Sequence, residues 1–350
     1  MSVLRAFDDT SIAFSYKTDY ELKRAYYLFK LLSYPVLASI GKHILQFLLS
    51  INFPIGFVIK RTVFAQFCGG ENERDCFKVI NKLHENNISC ILDYSVEGSN
   101  TEVDFDKTLD RTLNLIDLIR EKSLTSFIVF KPSAVGRFDL YLKKANNKNL
   151  NEVEVSEWKR IEERFDLICS KAKDNSISVL IDAEESWIQN PVDELIEKLT
   201  IKYNTSSCVV YNTIQAYRID RLKYLKELHI RLVKLDVKIG IKLVRGAYME
   251  KERLRAKSRS YKSPICENKL KTDENFNNCM EFILNNINQF NLFIGSHNEE
   301  SNLIATKLMT QLKIKNNNKR IWFSQLYGMS DHISFNLALN GYNVTKYLPF

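Results

Sequence analysis

No CxxC pair occurs among the seven cysteines, at positions 68, 76, 90, 169, 208, 266 and 279, and their number is odd. With no signal-peptide pattern ahead of them, a disulfide framework is not the expectation. Reduced thiols in a cytosol-like compartment are, most of them serving as small core residues. The five histidines show neither HxH nor HExxH spacing, which leaves no metal-ligand set. No apolar run reaches the roughly 20 residues that a membrane-spanning helix requires. The longest, LLSYPVLASIGKHILQFLLSINFPIGFVI (31–59), is broken by Pro35, Lys42, His43 and Pro54 and reads as buried or interfacial helix. A basic stripe interleaved with aromatics, the mark of nucleic-acid binding, is also missing. Net charge is +8, but acids and bases are interspersed, and the dense run KERLRAKSRSYKS (251–263) holds one aromatic, Tyr261. That run reads as a solvated helix face or an anion site, and nucleic acid is not an expected partner.

What is present is length and rhythm. The 350 residues, 45% hydrophobic and 26% charged, fit a soluble globular chain with one large domain or two ordinary ones. Helical periodicity over 18–50 predicts an N-terminal arm of about two helices, so that residues 1–60 form the arm and 61–350 the main domain. From residue 88 onward, short β-branched runs alternate with amphipathic helices. The runs are ISCILDYS (88–95), FIVFKP (127–132), SVLIDAEE (178–185), SCVVYNTIQ (207–215), KIGIKLVRG (238–246), NLFIGSHN (291–298), RIWFSQLYG (320–328) and YNVTKYLP (342–349). Near-continuous apolar runs are strands buried on both faces, hence a parallel sheet. Eight such strand–helix units favour a closed (β/α)₈ barrel. A doubly wound open sheet is second, since no GxGxxG follows any strand. The longest connection, about 45 residues between the fifth and sixth strands, predicts an excursion over the barrel mouth.

Barrel active sites lie at the C-terminal ends of the strands. Those ends carry Asp93, Lys131, Asp182 with Glu184, Gln215, Lys242 with Arg245, His297, Gln325 and Tyr347. Any one has a structural reading. A strand-end Asp caps a helix, Lys131 and Asp182 knit the floor as an ion pair, and His297 caps the helix after it. Converging on one mouth, they read as a site. Two carboxylates alone suggest a glycosidase, but the cations argue against it. Lys131 or Lys242 could form a Schiff base, as in barrel aldolases. The RGAY turn (245–248) and the GSHN turn (295–298) set cations and unhindered backbone where helices begin, which suits a large anionic ligand such as a dinucleotide.

Six ordered segments, KLVRGAYMEKER (242–253), LIDAEESWIQ (180–189), VYNTIQAYR (210–218), IGSHNEES (294–301), FSQLYGMSD (323–331) and KYLP (346–349), together resemble proline dehydrogenase, with ILDYSVEG (91–98) and PSAVGR (132–137) in support. The LVRGAY segment is similar to the mitochondrial-type, monofunctional branch. The resemblance runs from about residue 60 to the end. It implies a distorted (β/α)₈ barrel that holds FAD and oxidises L-proline to 1-pyrroline-5-carboxylate, with electrons passed to a quinone. It also implies a cytoplasmic location with peripheral contact at the inner face of the membrane. By that resemblance Asp182 orients Tyr347 and tunes the site, and Lys242 stands near flavin N5, where many bacterial members carry arginine. Lys131, Tyr248 and Tyr347 contact the substrate. Ala183, Gln215, Arg245, Gly246, Ala247, Ser296 and His297 contact the cofactor.

In the family a further helix follows the tyrosine-proline strand end and carries an Arg-Arg pair for the substrate carboxylate. The sequence stops three residues after Tyr347, so the expectation is a barrel without its eighth helix. Two alternatives accompany the enzyme reading: a flavin- or ligand-binding barrel impaired for want of those arginines, and a Schiff-base aldolase.

Overall fold

The computed structural model of the chain describes residues 7–34, 36, 41, 43, 48, 50–51, 53–94 and 101–350. Much of the long apolar stretch and residues 95–98 of the ILDYSVEG motif lie outside the described residues. Eight strands follow one another: β1 (Ile88–Asp93), β2 (Phe127–Phe130), β3 (Ser178–Ile181), β4 (Val210–Gln215), β5 (Ile239–Val244), β6 (Phe290–Gly295), β7 (Ile321–Leu326) and β8 (Val344–Pro349). Every ladder is parallel, and the order β1-β8-β7-β6-β5-β4-β3-β2 wraps the sheet round on itself. The closing ladder pairs Ile88 with Val344 and Asp93 with Pro349. β1 and β2 lie side by side, with no ladder between them among the described residues. The result is a nearly closed barrel.

Alternation along the strands explains the near-continuous apolar runs. On β2, Phe127 and Val129 point into the barrel, while Ile128 and Phe130 pack outward against helices. β3 repeats this with Leu180 inside and Val179 and Ile181 outside. Both faces are thus dry, as parallel sheets require. Inside, Phe127 meets Tyr211, Phe293 and Trp322 edge-on at 5.9, 5.2 and 5.1 Å. Each such ring contributes about 1.5–3 kcal/mol by leaving water. This aromatic plug fills the floor, so chemistry has room only above it.

The helices around the sheet begin on local signals. α1 (Thr10–Phe14) and α2 (Asp19–Leu32) form the described start of the arm, and α2 opens on a Thr18/Glu21 capping box. A short helical run, Gly56–Ile59, a π-helical turn at Lys60–Phe64 and Ala65–Phe67, precedes α3 (Glu73–His84). α4 (Glu102–Lys122), α5 (Phe138–Ala145), α6 (Glu152–Asp174), α7 (Ser186–Tyr203), α8 (Arg221–Val233), α9 (Met249–Ser258), α10 (Lys269–Asn285), α11 (Glu299–Gln311) and α12 (Asp331–Leu339) complete the set described. α9 and α10 both fall between β5 and β6, where the sequence predicts an extra element, but the longest connection is the one between β2 and β3, 131–177, which also carries two helices, α5 and α6.

The arm does not stand apart. Tyr16 stacks on Phe335 of α12 at 4.5 Å, and its hydroxyl donates to Asp331 at 2.8 Å. Lys17 pairs with the same carboxylate at 2.7 Å, and the fully buried Lys346 of β8 reaches it at 2.8 Å. Lys346 also donates to the Met329 carbonyl at 2.6 Å. Residues 16–17 are thereby locked to β8 through the loop that ends at α12.

Candidate functional site

The strand ends converge on one cavity of about 620 Å³. Its wall includes Asp182, Lys242, Lys131, Tyr248 and Tyr347, and also Ala183, Gln215, Arg245, Gly246, Ala247, Ser296 and His297. All twelve residues to which the family resemblance gives a role therefore share one space, together with Asp93 and Gln325.

At its centre, Lys242 of β5 donates to Asp182 Oδ1 at 2.5 Å. The register explains the reach. Thr213 of β4 pairs with Lys242, and its short side chain turns down to the Ile181 carbonyl at 2.7 Å. Lys242 passes over that short residue to the end of β3. Its ammonium also stands 4.5 Å from the centroid of the Tyr347 ring, which arrives from β8 on the far side. A buried cation between a carboxylate and an aromatic face is held at a defined point. This revises the expected pairings. Asp182 grips Lys242 in place of Lys131, and the buried Tyr347 hydroxyl has no hydrogen-bond partner among the described residues. Burial, then the charges of Asp182 and Asp93, push that phenol well up from its ordinary range.

Burial raises the Glu184 carboxyl, outweighing the Ser133 hydrogen bonds and the Lys131 charge that lower it. Glu184 accepts from Ser133 N at 2.8 Å and Ser133 Oγ at 2.6 Å. It thus braces the β2 loop and does not line the cavity.

Arg245 is fixed by three bonds, Nε to Asp273 at 2.7 Å, Nη1 to Ser296 Oγ at 2.7 Å and Nη2 to Ser301 Oγ at 2.9 Å. Two of its five N–H groups stay available for a ligand. Gly246 has φ +120°, and a Cβ there would meet the Tyr217 ring at 2.4 Å. The glycine is demanded by the chain's own packing as well as by any ligand. Gly246→Ala is expected to cost about 2 kcal/mol or more, from strain and clash together, read as a lower midpoint in urea.

His297 does not cap the next helix, because Asn298 does so by accepting from Ser301 N at 2.8 Å. Its Nδ1 meets Ser330 Oγ at 3.0 Å, and its Nε2 accepts from Leu326 N at 3.4 Å. The ring edge is open to the mouth while both nitrogens turn inward. Desolvation there, with the Lys346 and Arg245 charges, lowers its pKa to about 4. His297 is neutral at pH 7 and ties the β6 loop to the β7 loop. Gln325 is structural. Its Nε2 donates to Ser296 O at 3.0 Å and its Oε1 accepts from Ser334 Oγ at 2.7 Å. Gln215 is different, since its Oε1 is buried without a partner among the described residues.

Several lining residues carry no sequence signal of their own. Thr213, Val244, Ser324 and Leu326 are apolar or small strand positions that become wall only when the barrel closes. Lys269 joins from α10. The basic run after 250 is mostly scaffold. Glu252, fully buried on α9, accepts from Ser186 N and Oγ, both at 2.6 Å, and so caps α7 from outside. Arg255 stacks on Trp187 at 4.4 Å. These contacts pin α9, and Tyr248 just before it, across one side of the mouth.

The cavity wall has four cations, Lys131, Lys242, Arg245 and Lys269, against Asp93 and Asp182. Among the described residues no group of three His, Cys, Asp or Glu could hold a metal. Three buried polar atoms around the cavity, Gln215 Oε1, Ser324 Oγ and the Tyr347 hydroxyl, have no hydrogen-bond partner among the described residues. The arrangement suits an anionic, partly aromatic ligand with its own donors and acceptors.

The proline dehydrogenase family model matches residues 76–350. The carbapenem antibiotics biosynthesis protein CarD of Pectobacterium carotovorum subsp. carotovorum is 34% identical over 81% of this chain and 73% of that protein. The mitochondrial proline dehydrogenase 1 of Dictyostelium discoideum is 30% identical over 98% of this chain and 68% of that protein. The proline utilization A protein of Bdellovibrio bacteriovorus, solved after inactivation by N-propargylglycine, superposes with a TM-score of 0.73 at 18% identity. That match covers 99% of this chain and 35% of that one, so the chain spans about a third of the solved protein.

Proposed function

The chain belongs to the proline dehydrogenase family, and from that premise we propose that it oxidises L-proline to 1-pyrroline-5-carboxylate, with FAD held at the barrel mouth and a quinone as electron acceptor. The observation that carries this reading is the gathering of Asp182, Lys242, Tyr347, Arg245 and Gln215 around one cavity. Its size lies within the roughly 300–1,000 Å³ of ordinary ligand sites. The fit to a flavin rests on the orphaned atoms. A flavin ring edge offers both N–H and C=O groups, the complements of Gln215 Oε1 and of the Ser324 and Tyr347 hydroxyls. Bound there, FAD supplies a two-electron acceptor.

The protein's own groups have three tasks. Lys242, held by Asp182, presents positive charge at the centre of the cavity and favours a cofactor that gains electrons. Arg245 and Lys269, both on the cavity wall, would give the phosphates of the cofactor counter-charges. Tyr248 and Tyr347 wall a small ring. Loss of hydride from the carbon beside nitrogen needs that nitrogen's lone pair, whereas such an amine is protonated near pH 7. The cations at the mouth disfavour the ammonium form and help release its proton. A quinone acceptor suits a cytoplasmic protein with peripheral membrane contact. Among the described residues no helix is long and apolar enough to cross a membrane.

Purified protein is expected to carry flavin absorption and to bleach under anaerobic conditions with roughly millimolar L-proline. Flavin that stays oxidised rejects the substrate, and protein that takes up no flavin rejects the cofactor. A colourless protein trapped by borohydride with a carbonyl substrate would instead favour the aldolase.

A further inference from the structure

A second cleft, of about 360 Å³, lies outside the barrel mouth between the N-terminal arm and α3. Four stretches of chain wall it; one supplies Tyr327, and the other three bring cations. Lys17 and Arg24 come from the arm, Lys60 from the π-helical turn, and Lys78 and Lys82 from α3. Among the described lining residues the one carboxylate is Glu21.

Most of these charges already have a partner. Lys17 is bound to Asp331, and Lys60 to Glu71 at 2.6 Å. Glu21 is engaged by its own capping box, accepting from Thr18 N at 2.8 Å and Thr18 Oγ1 at 3.0 Å, and lies 3.8 Å from Lys82. Arg24 and Lys78 are left without an ion pair among the described residues. Arg24 donates from Nη2 to the Ala65 carbonyl at 3.0 Å, which fixes the plane of its guanidinium. Its Nε is buried with no hydrogen-bond partner among the described residues. An unpaired buried donor of this kind costs roughly 1–3 kcal/mol, more for a charged group, and a bound anion is one partner that relieves the cost. Within a cleft that also holds four lysines, an anion meets the need better than water. It would satisfy the orphan donor and relieve the mutual repulsion of the cations together.

We propose that this cleft is a binding site for a phosphate-bearing anion, gripped by Arg24 and neutralised by Lys78 and Lys82. Arginine's planar fork matches tetrahedral oxyanions, and the excess of cations over acids selects a multiply charged ligand over a single carboxylate. The phosphate has two chemical sources, a free phosphorylated metabolite or a lipid headgroup. The same stretches of chain expose Tyr20, Tyr27 and Phe57, a composition that would suit the lipid surface.

The test compares inorganic phosphate with chloride at equal ionic strength, by thermal shift and calorimetry on the full chain. In parallel, co-sedimentation is measured with phosphatidylglycerol and with phosphatidylcholine vesicles. Phosphate is expected to stabilise the protein more than chloride. Arg24→Gln and Lys78→Gln are each expected to weaken that binding about tenfold, as the loss of one charge-assisted contact implies. Binding to phosphatidylglycerol vesicles, reduced in both variants, with no response to inorganic phosphate would assign the lipid source and uphold the site. No response to either probe overturns it. So does a phosphate response that both variants leave unchanged, because the anion would then sit elsewhere, such as the barrel mouth. Lys78 is exposed, so Lys78→Gln keeps the test decisive even if Arg24→Gln fails to fold.

Discussion

An Asp331→Asn protein is expected to lose about 3–5 kcal/mol of stability, the usual result of stripping the partner from a buried ion. For a chain of this length that is roughly 4–7 °C in Tm. Asp331 is the shared anchor of Lys346, Lys17 and the Tyr16 hydroxyl, and Lys346 is wholly out of water. Without the carboxylate, its ammonium keeps the carbonyls of Met329 and Leu326 and nothing of opposite charge among the described residues. A Lys346→Met change in the same background should restore part of the loss, since an apolar pair tolerates burial better than a lone cation. A melting temperature for Asp331→Asn within about 1 °C of the parent would reject the account. The acid limb offers a second reading. Burial raises the Asp331 carboxyl, but Lys346 and Lys17 outweigh it and hold it at about 2, below the ordinary 3.8. Its contribution is therefore complete above the unfolded value and lost as pH falls toward about 2. The parent should weaken over that window in a step that Asp331→Asn lacks.

Asp182→Ala is expected to lower kcat/KM for L-proline by about 10²–10³-fold, the scale seen when one preorganised electrostatic group is removed. Asp182 acts through Lys242, whose ammonium it fixes between itself and the Tyr347 ring. Lys242→Met should then cost nearly as much alone as in combination, because two residues acting as a unit are not additive. Four proteins, the parent, two single variants and the double, decide the point in a dye-linked assay. Losses that simply multiply would show that the two residues work separately. Asp182→Asn keeps an acceptor for Lys242 and should fall between.

The barrel was legible because parallel strands are buried on both faces, and all eight apolar runs contain a strand. Their ends were read too far. The run 178–185 holds a strand of Ser178–Ile181, and 127–132 one of Phe127–Phe130. At the mouth the chain leaves the ladder and turns polar, with Lys131 directly after β2 and Asp182, Glu184 and Glu185 after β3. The fourth strand also starts later than its run, at Val210. There the buried Asn204 side chain takes over, accepting from Val209 N and Val210 N. The site residues were legible from strand position together with the family resemblance. Their pairing was not. Nothing in the run around Asp182 says that its partner is Lys242 and not Lys131, because the choice depends on the short Thr213 lying between them. The Tyr16–Asp331 contact spans nearly the whole chain and leaves no local pattern at either end.

The closing ladder also has a consequence in time. Among the described strands β1 is the first to be synthesised, yet its ladder partner is β8, the eighth. Until β8 is made, β1 has no described neighbour to hydrogen-bond with, and it presents the apolar sequence ISCILD as a bare edge. Folding must hold that edge back from other chains through the making of six further strands, and contacts so distant in sequence form slowly. Misassembly of this protein should therefore begin at residues 88–93, the strand whose Ile91 stands in register with Tyr347 of the site.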